Sequence, residues 1–242
     1  KVFFITGPGK SSIENHFDKN KELTKILRET GKEELLVELE FERTVTQYIF
    51  TRQRQLMGLG HAVLCAEPVV VDKPFAVALG DSIIGLNSKS DILKRMIKVF
   101  EEQKASAVIA FEKVKAEEVH LYGIALPKGE GRVFQVSDLI EKPTPEEAPS
   151  NLAIAARYVF NQEIFQVLQK TNRGKNNEIQ LTDAIRLLIN EGKSVYGVCL
   201  NEDKIRYDIG NFESYFRAFI IFALEDKNYG PELRIYLKNL LD

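Results

Sequence analysis

The chain has 242 residues, 44% of them apolar and 28% charged, with a formal net charge of −2. That suits one large α/β domain or two small ones with a core of useful size. The near-neutral balance speaks against nucleic acid as the main ligand, whereas a phosphorylated small molecule needs only a few local cations.

Residues 2–5 form a short apolar run closed by Thr-Gly-Pro-Gly, the pattern of a buried parallel strand. Ser11 or Ser12 is placed to cap the helix that follows, with Phe17 on its apolar side. Residues 20–43 predict two surface helices, carried by Leu23, Ile26 and Leu27 and then by Leu35, Leu36 and Leu39. Residues 48–50 read as a strand, and Gly58-Leu59-Gly60 opens a short helix through His61 to Cys65. Residues 75–79 predict a buried strand ending in Gly80-Asp81-Ser82, and residues 91–103 a helix burying Ile92, Met96, Ile97 and Phe100. Residues 107–111 are the next strand. Strands alternating with helices imply a parallel sheet.

The later pattern differs. Residues 124–126 and 133–140 read as strands joined by a turn at Gly129-Glu130-Gly131, and residues 153–160 as a further strand. Helices return at 162–169 and 181–190, residues 195–200 and 205–208 look like a hairpin pair, and 212–225 and 232–241 are amphipathic helices. The apolar face carrying Phe216, Phe219, Ile220 and Ala223 needs covering, by the chain's own sheet or by another copy. Cys65 and Cys199 are read as reduced, buried thiols rather than a metal or disulfide pair. No apolar run has the length of a membrane span, and the opening strand is broken too soon for a signal peptide, so the expected location is cytoplasmic with no membrane partner. The first residue is Lys rather than Met, so more of the gene product is expected upstream.

Several residues have chemistry to offer. Asp81 ends a strand, where ligands bind open α/β sheets, and a carboxylate there either holds Mg²⁺ against a phosphate or caps the next turn. Glu141-Lys142-Pro143 closes a long strand; it pairs a sugar-hydroxyl acceptor with a phosphate-binding cation, or is a solvated ion pair. Asp208, before Ile209-Gly210, is a second strand-end acid that would complete a metal pair with Asp81 or simply mark a turn. Gln53 and Gly58 flank another strand end, where an amide reads a base edge and a glycine admits a flat base; a helix-start turn explains the spacing equally. His61 reads as a capping or core histidine. Gly7-Pro8-Gly9-Lys10 lacks the Walker spacing and reads as a turn.

In this order the segments resemble the bacterial UTP–glucose-1-phosphate uridylyltransferases nearly from end to end. The likeness is carried by Ile13-Glu-Asn-His-Phe-Asp18, Gly58-Leu-Gly-His-Ala-Val-Leu-Cys-Ala66, Pro74-Phe-Ala-Val-Ala-Leu-Gly-Asp81, Glu141-Lys-Pro, Asn177-Glu-Ile-Gln-Leu-Thr-Asp-Ala-Ile185 and Arg206-Tyr-Asp-Ile-Gly-Asn211. The resemblance implies a Rossmann-like α/β nucleotidyltransferase fold: a mixed, mainly parallel central sheet flanked by helices, with a small antiparallel sugar-binding portion. Residues 1–242 would form a single domain. It implies UTP and glucose 1-phosphate as substrates, UDP-glucose as product, Mg²⁺ as cofactor, and a homo-oligomer, dimer or tetramer. Asp81 and Asp208 would hold Mg²⁺, Gln53 and Gly58 the uracil, Lys142 the sugar phosphate, and Glu141, Glu178 and the backbone at Gly123 the glucose. Asp81, Lys142 and Asp208 would be the catalytic set. Thymidylyltransferases, other sugar-nucleotide pyrophosphorylases and a non-catalytic UDP-sugar-binding homologue are the alternatives.

Three departures from the family pattern stand out. The first strand with its G-x-G-T-R phosphate loop is not in the chain as written, which predicts little turnover from these 242 residues and full turnover from the parent gene product. Ser82 stands where many members have an acid, with little loss expected. Ala156 stands where many have glycine, and its methyl is expected to crowd the sugar.

Overall fold

The computed structural model describes residues 1–18, 20–36, 45–86 and 90–241, the side chain of residue 175 excepted. Leu39, on the second expected surface helix, lies outside the described residues. The backbone divides into two compact units: Lys1–Val71 with Asn172–Leu181, and Asp72–Thr171 with Thr182–Asp242.

In the first unit β1 (Val2–Thr6) pairs in parallel with β2 (Tyr48–Arg52), in the register Val2 to Tyr48 through Thr6 to Arg52. The strands hold each other through aromatic rings: Phe4 lies 5.2 Å from Phe50 and 4.5 Å from Phe17 on α1 (Ser11–Phe17). Only Thr6 of β1 is fully buried, so this strand is less enclosed than its apolar run predicts. Lys10, not a serine, is the cap residue of α1, and no side chain caps it. Instead the Thr6 hydroxyl donates to Glu14, 2.9 Å away, in the first turn. Helix α2 (Lys21–Glu29) is capped by Asn20, whose side chain accepts from Leu23 N at 2.9 Å.

The second unit is built on a six-stranded mixed sheet, ordered β3-β8-β5-β9-β7-β6. Its strands are β3 (Phe75–Ala78), β5 (Ala107–Lys113), β6 (Gly123–Lys128), β7 (Val133–Glu141), β8 (Leu152–Phe160) and β9 (Val195–Cys199). Within it only β5–β9 is parallel, so the balance lies further toward antiparallel than the strand–helix alternation suggests. A parallel neighbour needs a long crossover connection, and the stretch from β6 to β8 carries no helix to make one. Among the described residues strand β3 pairs with β8, antiparallel, and alternates partly buried and exposed residues, unlike the buried parallel strand its apolar run predicts.

Helix α4 (Ile92–Glu102) lays Ile92, Met96, Val99 and Phe100 on Val108, Ala110, Ala155, Val159 and Val198 of the sheet. Val99 takes the place expected for Ile97, which is 40% exposed. Helices α5 (Glu163–Lys170) and α6 (Leu181–Asn190) bury Phe165, Leu168, Ile185 and Leu188. Strand β10 (Arg206–Asp208) does not form a hairpin with β9. It pairs antiparallel with β4 (Ser82–Ile84), bringing Asp208 opposite Ser82. Two helices close the chain, α7 (Phe212–Leu224) and α8 (Gly230–Leu241), and the Phe222 ring of α7 meets Tyr207 edge-on at 5.2 Å. Among the described residues no helix is long and apolar enough to cross a membrane. Both cysteines are free, and each is partly rather than fully buried.

Candidate active site

The first unit carries Gln53, Gly58 and Glu178. The chain leaves β2 through Gln53, whose N–H donates to Thr6 O at 2.8 Å. Its side chain is buried and works inside the turn: Nε2 donates to Gly58 O at 3.0 Å and lies 2.9 Å from His61 Nδ1. His61 is thus a structural partner of Gln53. Gly58 caps α3 (Leu59–Leu64) with φ 92° and ψ 174°, a conformation reserved almost entirely for glycine. A Cβ there would meet Glu178 Cβ at 2.7 Å and Ile179 O at 2.9 Å. Two backbone hydrogen bonds, Ile179 N to Met57 O at 2.8 Å and Gly60 N to Ile179 O at 2.9 Å, fasten the 178–179 segment to this turn. Glu178 is therefore placed directly against Gly58.

The second unit carries the other candidates in two groups. The first is built on the β4–β10 ribbon. Asp81 immediately precedes β4, Asp208 ends β10, and Ile209 N donates to Asp81 O at 2.8 Å. Asp208 Oδ1 accepts from Gly210 N at 2.8 Å. Oδ1 of Asp208 and Oδ2 of Asp81 lie 3.2 and 3.3 Å from one point, the position a Cβ on residue 210 would take. The two acids, 127 positions apart by their numbers, are brought to one spot, and the glycine keeps that spot open. Ser82 Oγ, on β4 opposite Asp208, is buried and makes no hydrogen bond among the described residues.

Two arginines frame this pair. Arg206 neighbours Asp208 through Nη1 at 3.4 Å, is ion-paired to Glu112, and lies 4.8 Å from the Tyr122 ring centroid. Burial pushes the Glu112 carboxyl up, against the pull of Arg206. Arg157 donates to the carbonyls of Leu79 at 3.3 Å, Ala156 at 2.9 Å and Ser82 at 2.7 Å, bracketing the Asp81 turn. Burial and the neighbouring Arg206 lower its pKa, and Asp81 opposes them.

The second group joins β6, β7 and α6. Gly123 opens β6 opposite Glu141, the last residue of β7. Glu141 Oε2 accepts from the Thr182 hydroxyl at 2.6 Å. A Cβ on Gly123 would meet Ile154 Cδ1 at 2.8 Å, Thr182 Oγ1 at 3.1 Å and Glu141 Oε2 at 3.2 Å. Lys142 follows in a left-handed conformation, φ 49°, and its N–H donates to Tyr122 O at 2.9 Å. For a residue with a Cβ this conformation costs about 1–2 kcal/mol, and backbone strain of that kind gathers at functional positions. Ala156 is left-handed too, with φ 55°, so the backbone itself gives a reason for glycine at that position.

Arg157, Arg206, Glu112 and Thr182 were not singled out from the sequence. Each does its work through a partner 41 to 94 residues away, which no local spacing reveals. For Thr182 and Arg206, which fall inside the resembling blocks 177–185 and 206–211, that placement was the one available signal.

A two-stranded ribbon that brings two aspartates to one open spot is a frame suited to phosphoryl chemistry, and the family model described as nucleotidyl transferase matches residues 10–223. Among curated relatives, the UTP–glucose-1-phosphate uridylyltransferase YngB of Bacillus subtilis is 41% identical over 241 residues, covering 99% of this chain and 79% of that protein. A UTP-bound UGPase from Acinetobacter baumannii superposes with a TM-score of 0.85 at 34% identity, over 99% of this chain and 82% of that one. A UDP-glucose pyrophosphorylase complexed with UDP-glucose gives a TM-score of 0.78 at 35% identity, over 89% and 78%. The chain belongs to the nucleotidyl transferase family and, within it, to the UTP–glucose-1-phosphate uridylyltransferases.

Proposed function

We propose that the protein transfers a uridylyl group from UTP to glucose 1-phosphate, giving UDP-glucose and pyrophosphate. A phosphate oxygen of glucose 1-phosphate attacks the α-phosphorus of UTP, a new P–O bond forms, and the bond to the departing pyrophosphate breaks. No covalent enzyme intermediate is needed, so the protein's task is to position the reactants and neutralise charge. The observation that carries this reading is the convergence of Asp81 and Asp208 on the open space beside Gly210.

Two carboxylates at one spot fit Mg²⁺, which takes one or two carboxylates and fills its remaining positions with phosphate oxygens and water. Asp81 and Asp208 would hold it, and when bound it would draw charge off the UTP phosphates. Lys142 supplies a cation for the sugar phosphate. Glu141, fixed by Thr182, accepts from glucose hydroxyls where Gly123 leaves room. Glu178 is assigned to the glucose as well, and Gln53 with Gly58 to the uracil. The family match runs through both units, so the reading treats residues 1–242 as one nucleotidyltransferase domain. We assign it to the cytoplasm and infer separately that it is a homo-oligomer, since Phe216 and Phe219 on α7 are 57% and 60% exposed. Competition between UTP and dTTP in a pyrophosphate-release assay tests the base assignment. Strong preference for UTP is expected, and equal use of dTTP would contradict it.

A further inference from the structure

Arg157 stands out among the charged residues that the proposed chemistry leaves without a role. Its guanidinium reaches three carbonyl oxygens, of Leu79, Ala156 and Ser82. Two of them sit on either side of Asp81, so the side chain spans the turn that presents this acid. Leu79 N also donates to Ala156 O, at 3.2 Å, so the left-handed residue before Arg157 takes part in the same clamp. The turn lies at the start of β4, and only a three-residue ladder with β10 continues it. Such a short ribbon does little to fix the acid by itself. A planar fork that holds several carbonyls at once sets a geometry that a point-like ammonium does not.

We propose that Arg157 is a positioning residue for the divalent-cation site, acting through Asp81 by locking the carbonyls on both sides of it. The inference rests on the assignment of Asp81 and Asp208 as cation ligands. Partners that orient a ligand typically contribute 10- to 100-fold in affinity, and that is the loss expected when the fork is removed.

The test uses Mn²⁺ as the probe, titrated into the metal-free protein and followed by electron paramagnetic resonance, with Tm measured beside it. Arg157→Lys keeps the charge and loses the fork; Arg157→Gln keeps a single donor group and loses the charge. Asp81→Asn is the control for the underlying assignment. The account expects Mn²⁺ affinity to fall about 10-fold or more in a folded Arg157→Lys protein. Added guanidinium ion should restore part of the affinity of an Arg157→Ala protein. Wild-type Mn²⁺ affinity in a folded Arg157→Lys or Arg157→Gln protein, with Asp81→Asn impaired, would overturn the inference and leave the Asp81 assignment standing. Wild-type affinity in Asp81→Asn would overturn the assignment itself and the inference with it.

Discussion

Gly58→Ala is the sharpest perturbation that the first unit offers. At φ 92° and ψ 174° an L-residue sits where essentially only glycine is found, and holding it there costs about 1–3 kcal/mol. The new methyl would also stand 2.7 Å from Glu178 Cβ and 2.9 Å from Ile179 O. Neither is the far end of a flexible side chain, so the 178–179 segment must move, at a further cost of about 1–3 kcal/mol. The combined loss is about 2–6 kcal/mol, or a Tm lower by roughly 5–20 °C. Gly9→Ala separates the two contributions, because Gly9 has φ 78° but nothing within 4 Å of its would-be Cβ. That variant should lose only about 1–2 kcal/mol. Thermal unfolding by circular dichroism reads both, and a UDP-glucose titration reads whether the displaced turn still binds. Equal Tm losses for the two variants would show that the packing of Glu178 and Ile179 on Gly58 carries no energy, and the reasoning would fail.

Asp81→Asn and Asp208→Asn should each abolish most turnover while leaving Tm at or above the wild-type value, since each removes one of two neighbouring like charges; a marked fall in Tm would assign them a structural role. Thr182→Val removes the hydroxyl that holds Glu141 at 2.6 Å. A hydrogen bond to a charged group contributes about 1.5–3 kcal/mol, so KM for glucose 1-phosphate should rise about 10-fold or more while KM for UTP stays unchanged. Burial alone would raise the Glu163 carboxyl, but hydrogen bonds from Lys193, Ser106 and Asn161 outweigh it and hold the group at about 2, below the 4.5 of an ordinary glutamate. A depressed acid stabilises the fold above its unfolded pKa and loses that contribution as pH falls. Glu163→Gln should therefore flatten the acid-unfolding curve between about 4.5 and about 2, and an unchanged curve would contradict the assignment. Phe216→Glu combined with Phe219→Glu should shift the protein to a smaller species in sedimentation, with secondary structure kept; an unchanged sedimentation coefficient would argue against α7 as the contact face.

Most elements were legible because their signals are local. Apolar runs marked β5 and β8, and 3.6-residue spacing marked α4 and α6. What the sequence hid was partnership. Nothing around residues 205–208 says that β10 pairs with β4 instead of β9, yet that pairing is what carries Asp208 to Asp81. The apolar run of residues 75–79 looked enclosed because enclosure depends on the neighbours a strand finds, and among the described residues β3 pairs only with β8. The aspartates were legible as strand-end acids, and their shared location was not. The sequence assigned no role to the Arg157 side chain, because its targets are main-chain carbonyls, which have no sequence signature. Lys142 and Ala156 show a further limit: their left-handed backbones are set by the turns around them, against the preference of each residue type.

The most direct test of the central claim is pyrophosphate release and UDP-glucose formation by the protein, supplied with UTP, glucose 1-phosphate and Mg²⁺. The account predicts equimolar UDP-glucose and pyrophosphate, lost in Asp81→Asn. A folded protein that forms no UDP-glucose, or one that forms it at the wild-type rate with Asp81 replaced, would contradict it.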